Sequence, residues 1–313
     1  MRDDNTILAV NYHYYRDSIP AGGIYPITEQ SFKKQLDLLA TEYSFISERE
    51  LIEIIESRIT RERQKLCLLT FDDGLKEQMQ AARLLYRMDI PAIFYVSTHP
   101  IRNNCVSAVH KLHYIRSKMP DAKIAKIMDL KFGLSSFEFD NRILEQQYRY
   151  DNELSKKIKY FINFVLTDDE QHYLIDHLFS ELVANEKYFS AELYMSYQDI
   201  KWLSDRSMLG THGDEHRPLA TLSTQEIKKN INESLGFLEF ATNKSGTIQS
   251  VSYPYGGPTA VSEKVARTAQ ECGMKFGLTM LRGVNNNADL HNPMLLKRFD
   301  TNDVPGGKSY IQF

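Results

Sequence analysis

The chain has 313 residues, which suits two domains or a single α/β barrel carrying an insertion. Its 42% hydrophobic and 25% charged residues allow a sizeable core and exclude disordered, collagenous and fibrous classes. Lys+Arg 38 against Asp+Glu 41 gives a net charge of −3, so the basic footprint of a nucleic-acid binder is absent.

The first third alternates strands and helices. Residues 7–13 (ILAVNYH) are apolar and β-leaning, and 29–43 follow with Phe32, Leu36 and Leu39 at helical spacing. Ser47 and Glu50 form a capping box that opens a helix through Leu51, Ile54 and Ile55. KLCLLTF (65–71) reads as a strand buried on both faces, as in a parallel sheet. Gly74 ends it, a helix runs to about Met88, and 91–97 is the next strand. The last third repeats the rhythm. A strand is expected at 208–211, and a helix capped by Ser223 and Glu226 carries Ile227, Ile231, Leu235 and Leu238. A strand at 247–253, a helix from about 259 closed by Gly273, and strands at 275–280 and 293–299 complete it. The middle, 100–199, reads as amphipathic helices and is expected to be an insertion between the two parts, 1–99 and 200–313, of one barrel.

Cys67, Cys105 and Cys272 are isolated, which argues against a disulfide framework and against a Cys-ligated zinc site. The start lacks the basic region and the long apolar stretch of a secretory signal, and no run reaches the roughly 18 apolar residues of a membrane span. A cytoplasmic protein is expected.

Three segments that each follow an expected strand can carry chemistry. In Thr70–Gly74 (TFDDG), two carboxylates sit where burial is costly unless they are paired, metal-bound or used for proton transfer. Neighbours on extended backbone point apart, so one can ligate a metal while the other faces water. N-capping of the next helix is the structural alternative. In Gly210–His216 (GTHGDEH), His212 and His216 are spaced i, i+4, which on a helical turn brings both imidazoles to one side. An Asp with two His leaves an open position for water, the pattern of a catalytic metal. In Ser252–Gly257 (SYPYGG), Pro254 and Gly256 force a turn that aims the Tyr255 N–H at a developing oxyanion, or merely reverses the chain.

TFDDG, then His212-x-x-x-His216 with Pro218, then YPYG, together with the lead-in NYHYY, resemble the polysaccharide deacetylases, carbohydrate esterase family 4, over about 5–98 and 205–300. The resemblance implies a distorted (β/α) barrel and hydrolysis of an N-acetyl group from an amino sugar. It implies a divalent metal, most often zinc, on Asp73, His212 and His216, with Asp72 as general base and Tyr255 supporting the oxyanion. Tyr253, Pro254, Gly256 and Arg298 are expected on the substrate side. The chain departs from the family pattern in three places. Gly213 stands where many members carry Ser or Thr, and Ser252 stands where many carry an Arg that pairs with the base. The late Leu-x-His, source of the general acid, has no match. Arg298 is a candidate for the missing Arg, and His13 or His291 for the acid, with barrel geometry favouring His13. The substrate expected in a cytoplasmic setting is a nucleotide-linked or lipid-linked N-acetylated glycan. The alternatives are another C–N hydrolase, such as a deformylase or amidohydrolase, and an inactive glycan-binding protein.

Overall fold

The computed structural model describes residues 6–20, 22–57, 65–142, 144, 152–308 and 310. Its apolar runs become eight strands: β1 (Thr6–Tyr12), β2 (Ser44–Phe45), β3 (Lys65–Phe71), β4 (Ile93–Val96), β5 (Leu209–Thr211), β6 (Ser250–Ser252), β7 (Phe276–Leu278) and β8 (Phe299–Asp300). They pair in the order β7-β6-β5-β4-β3-β1-β8, every ladder parallel, with the short β2 on β3. Just before β8, Leu296 bridges back to Leu278 of β7, so the sheet curls round on itself. This is the distorted barrel that the family resemblance implied.

Around it lie α1 (Glu29–Ala40), α2 (Glu48–Ser57), α3 (Gln78–Arg87), α4 (His99–Asn103), α5 (Tyr197–Ser204), α6 (Thr224–Thr242) and α7 (Glu263–Glu271). The expected caps form: Glu50 N–H donates to Ser47 Oγ at 3.2 Å, and Ser223 with Glu226 makes a reciprocal box on α6.

The two-residue period of the strands sorts side chains between core and barrel interior. Leu8, Val10 and Tyr12 of β1 pack with Phe32, Leu36 and Leu39 of α1. Ile7 and Ala9 join Leu66, Leu68, Tyr95 and Leu278 in a second cluster inside the curled sheet. The same parity carries Asn11, Thr70 and Asp72 inward. Because all strands run parallel, the segments after β1, β3, β5 and β6 emerge at one rim, where α/β barrels build their sites.

Contacts divide the chain into two units. One comprises the described residues of Met1–Ser18, Pro26–Cys105 and Lys187–Phe313; the other, those of Ile19–Tyr25 and Val106–Glu186. The second unit is helical, with helices at Ala108–Lys118, Asp121–Phe132, Glu153–Tyr160 and Asp168–Ser180. Ile115, Ile124, Ile158 and Leu174 are buried in it, and Arg116 grips Asp121 through two bonds of 3.1 Å.

Two element expectations need correction. The strand expected at 293–299 is a 3-10 turn at Pro293–Leu295, and only Phe299–Asp300 pairs as β8. Pro293 cannot donate to a ladder and starts the turn instead. The helix expected from about 259 begins at Glu263, where the Ser262 side chain accepts from Val265 N–H.

Candidate active site

Asp73, His212 and His216 meet. Their ligand atoms lie within 4.8 Å of one another and all three residues are buried. His216 Nε2 is 3.1 Å and His212 Nε2 3.5 Å from the same oxygen, Asp73 Oδ1. His212 Nδ1–H donates to the Ser252 carbonyl at 2.7 Å, which fixes the tautomer and turns the Nε2 lone pair toward Asp73. The histidines do not share a helical turn, however. Residues 212–216 form an irregular loop in which Gly213 and His216 have φ +71° and +52°, and this reversal replaces the helix in bringing the rings to 5.0 Å.

Backbone strain gathers here. Asp73 (φ +84°), His216 (+52°) and Tyr255 (+62°) all hold left-handed conformations that non-glycine residues adopt at a cost of about 1–3 kcal/mol each. Gly74 (φ +70°) completes the turn after β3, and any Cβ there would come within 2.9 Å of Val96 Cγ1. Gly213 is explained in the same way: a Cβ would meet Asn230 Oδ1 at 2.6 Å, so asparagine occupies the space that a Ser or Thr would need.

Asp72 lies beside this centre, only 2% exposed. Arg298 grips it with both arms, Nη1 donating to Oδ1 at 3.0 Å and Nη2 to Oδ2 at 2.8 Å. Asn11 Nδ2 donates to Oδ2 at 3.0 Å. Arg298 also donates to Asn11 Oδ1, Thr70 Oγ1 and Ser252 Oγ, at 3.1, 3.1 and 2.8 Å. Burial alone would raise the carboxyl; the Arg298 guanidinium leads the groups that outweigh it and hold Asp72 at about 2. Arg298 therefore takes up the carboxylate that the family's usual Arg would hold, and Ser252, standing in that residue's place, bonds the replacement. Fully buried, Arg298 has no surface to offer a substrate, contrary to its expected place among substrate-binding residues.

Tyr253 is corrected likewise. It is 1% exposed, and its hydroxyl donates to Met294 O at 3.0 Å, so its ring belongs to the core behind the turn. Pro254, Tyr255 and Gly256 form the rim turn after β6. Gly256 (φ +59°) presses against the 280 backbone, its carbonyl accepting from Met280 N–H at 2.9 Å. The half-exposed Tyr255 ring packs edge-on to His216, with centroids 5.0 Å apart. His13 follows β1 near enough to Asp72 to influence its charge, whereas His291 lies exposed in a 3-10 turn. Gln78 ties the β1 and β3 rims together, its Nε2 donating to His13 O at 2.8 Å and Asp72 O at 2.5 Å.

Sequence reasoning did not single out Asn11. Its signal was present as one amide inside the otherwise apolar run ILAVN, a placement that burial tolerates only with partners.

The donor set fits a divalent cation: one carboxylate and two imidazoles on one point, one ring held in the ligating tautomer, is a zinc-type arrangement. Among the described residues no helix is long and apolar enough to cross a membrane.

Residues 194–277 match the model of the family described as polysaccharide deacetylase. The structure resembles the Streptococcus pyogenes deacetylase PplD in complex with acetate at TM-score 0.58 and 15% identity, covering 95% of this chain and 92% of that one. It resembles IcaB from Ammonifex degensii at TM-score 0.56 and 16% identity, covering 94% and 91%. It also resembles the BpsB deacetylase domain from Bordetella bronchiseptica at TM-score 0.53 and 14% identity, covering 94% and 95%. No curated protein matches the chain. At these identities the solved structures speak for the fold, and the family match covers the loop that holds both histidines. Residues 194–277 are thus similar to the polysaccharide deacetylase family, and the barrel is the fold of the solved deacetylases.

Proposed function

We propose that the protein is a metal-dependent hydrolase that removes the N-acetyl group from an amino sugar. The observation that carries the reading is the convergence of Asp73, His212 and His216 beside a separate carboxylate, Asp72, that Arg298 keeps ionised. A divalent cation, zinc by the chemistry of its donors, would polarise the amide carbonyl and acidify the attacking water. Asp72 accepts the water's proton. Its basicity is low, because the Arg298 pair holds it at about 2, so it is always ionised at neutral pH and acts on a water already made acidic. Asn11 and Arg298 set the plane of that carboxylate. The Tyr255 N–H, in the strained turn after β6, faces the developing oxyanion, and Pro254 and Gly256 shape the turn that presents it. His13 protonates the departing amine; its place beside Asp72 supports this over His291.

The proposal includes the cytoplasmic setting expected from the sequence, so nucleotide-linked and lipid-linked N-acetylated sugars lead the substrate series, followed by short N-acetylated oligosaccharides. The test is acetate release by the zinc-loaded chain. Activity on at least one of them, lowered roughly 10²- to 10⁴-fold in Asp72→Asn, is the expected result. Bound zinc should vanish in Asp73→Ala and His216→Ala. Bound zinc without acetate release from any substrate would favour another C–N hydrolase, and a purified chain that takes up no metal would favour a glycan-binding protein.

A further inference from the structure

We infer that Asp214, between the two histidines, is the positioning residue that fixes both imidazoles on the candidate cation site; the inference rests on the metal reading above. The loop from His212 to His216 lies outside the regular elements and contains a left-handed non-glycine residue, so its shape must be imposed from outside. Asp214, 1% exposed, is where the imposing contacts meet. Its Oδ1 accepts from Thr98 Oγ1 and its Oδ2 from Arg102 Nη2, both at 2.7 Å. Its backbone N–H donates to Asn230 Oδ1 at 3.0 Å, and its carbonyl accepts from His99 N–H at 3.0 Å.

The loop is thus clamped to α4 on one side and α6 on the other. Arg102 links the two, because it also donates to Glu233 Oε2 of α6 at 3.1 Å. His99, Asp214 and Glu215 themselves have ligand atoms within 4.8 Å of one another. The Arg102 guanidinium already supplies the positive charge there, which makes this cluster a clamp and not a second cation site. Supports of this kind behind metal-ligating histidines govern how well the ligands converge.

The experiment measures Zn²⁺ affinity by chelator competition, and the visible absorption of the Co²⁺ form, on the full chain. Asp214→Asn keeps the shape but opposes its amide to the Arg102 donor. It is expected to weaken Zn²⁺ binding roughly 10- to 100-fold and to alter the Co²⁺ bands, with an unchanged far-UV circular dichroism spectrum. Arg102→Met should shift both readouts in the same direction by less, and it replaces Asp214→Asn if that variant does not fold. Glu233→Gln should leave them unchanged. Wild-type affinity and Co²⁺ spectrum in Asp214→Asn, or in Arg102→Met as its substitute, overturn the inference alone. If the unaltered chain takes up neither ion, the metal reading falls and this inference with it.

Discussion

Two of the barrel's buried carboxylates, Asp72 and Glu48, lie at opposite ends and titrate in opposite directions. Asp72, at the rim, is 2% exposed; Glu48, at the amino ends of the strands, is 7% exposed. Arg298 and its neighbours hold Asp72 at about 2. Burial pushes Glu48 up to about 7, because its support is the hydroxyl of Ser250, itself bonded to Tyr95 at 2.9 Å. Burial raises both carboxyls, and the counter-ion, present at Asp72 only, decides the sign. A fold that only needed to bury an acid could leave it neutral, as it does at the floor. At the rim it commits a fully buried guanidinium, an amide and two hydroxyls to keep an acid charged, which fits a group whose charge is used.

The largest break in this contrast comes from Arg298→Met. Removing one partner of a buried pair costs about 3–5 kcal/mol, since the remaining charge is left uncompensated. The remaining acid should then behave like Glu48, its pKa moving upward from about 2. In the wild type the depressed pKa contributes stability that is present above the unfolded value, roughly pH 4, and is lost as pH falls toward 2. In the variant that acid-side loss should disappear and, as for Glu48, stability should instead fall as pH rises through the raised pKa, while the acid limb of kcat/KM should move to higher pH. Urea titrations across pH, with rate profiles, check both; an unmoved acid limb would show that Asp72 does not need Arg298 to stay charged.

The floor gives the converse test. Glu48 is protonated in the folded chain up to about pH 7, whereas an unfolded Glu ionises near 4.3. Between those values the folded state binds the extra proton, so stability should fall as pH rises from about 4 to about 7 and stay low above. Glu48→Gln should remove that slope. It should match the wild type near pH 4.5 and exceed it by up to about 3 kcal/mol at pH 8, read as a shift in urea midpoint. A variant less stable than the wild type at pH 8 would mean that the ionised form has a partner at the floor.

Much of the rim was legible because local sequence determines it. KLCLLTF reads as a strand and folds as β3 (Lys65–Phe71), and TFDDG follows at its carboxyl end. The convergence of Asp73 with His212 and His216 was inferred from motif order, since parallel strands deliver their following loops to one end. Arg298 could be named from the sequence only as a candidate for the missing Arg, because it meets Asp72 across 226 residues, and which guanidinium fills a buried slot is fixed by the register of β8 on β1, not by anything near TFDDG. The i, i+4 histidines suggested a helical turn because spacing alone does not distinguish helix from a tight loop; Gly213 with positive φ was the local clue. The 293–299 run misled for the opposite reason, since short apolar runs fit strand and turn alike and Pro293 decided.

A smaller effect separates rim strain from rim crowding. Gly213 at the rim and Gly246 at the floor have nearly the same φ, +71° and +67°. They differ in surroundings: a Cβ on Gly246 meets nothing within 4 Å, while one on Gly213 lies 2.6 Å from Asn230 Oδ1. Gly246→Ala should therefore cost only the left-handed backbone, about 1–2 kcal/mol. Gly213→Ala should cost that and roughly 1 kcal/mol or more in addition, because Asn230 must move and release the Asp214 N–H. In an Asn230→Ala background the excess should disappear and leave the two alanine variants equal, a coupling that a double-mutant cycle measures directly. Equal costs in the unaltered background would mean that the loop relaxes around the new methyl, and the rim would then be strained in its backbone without being crowded.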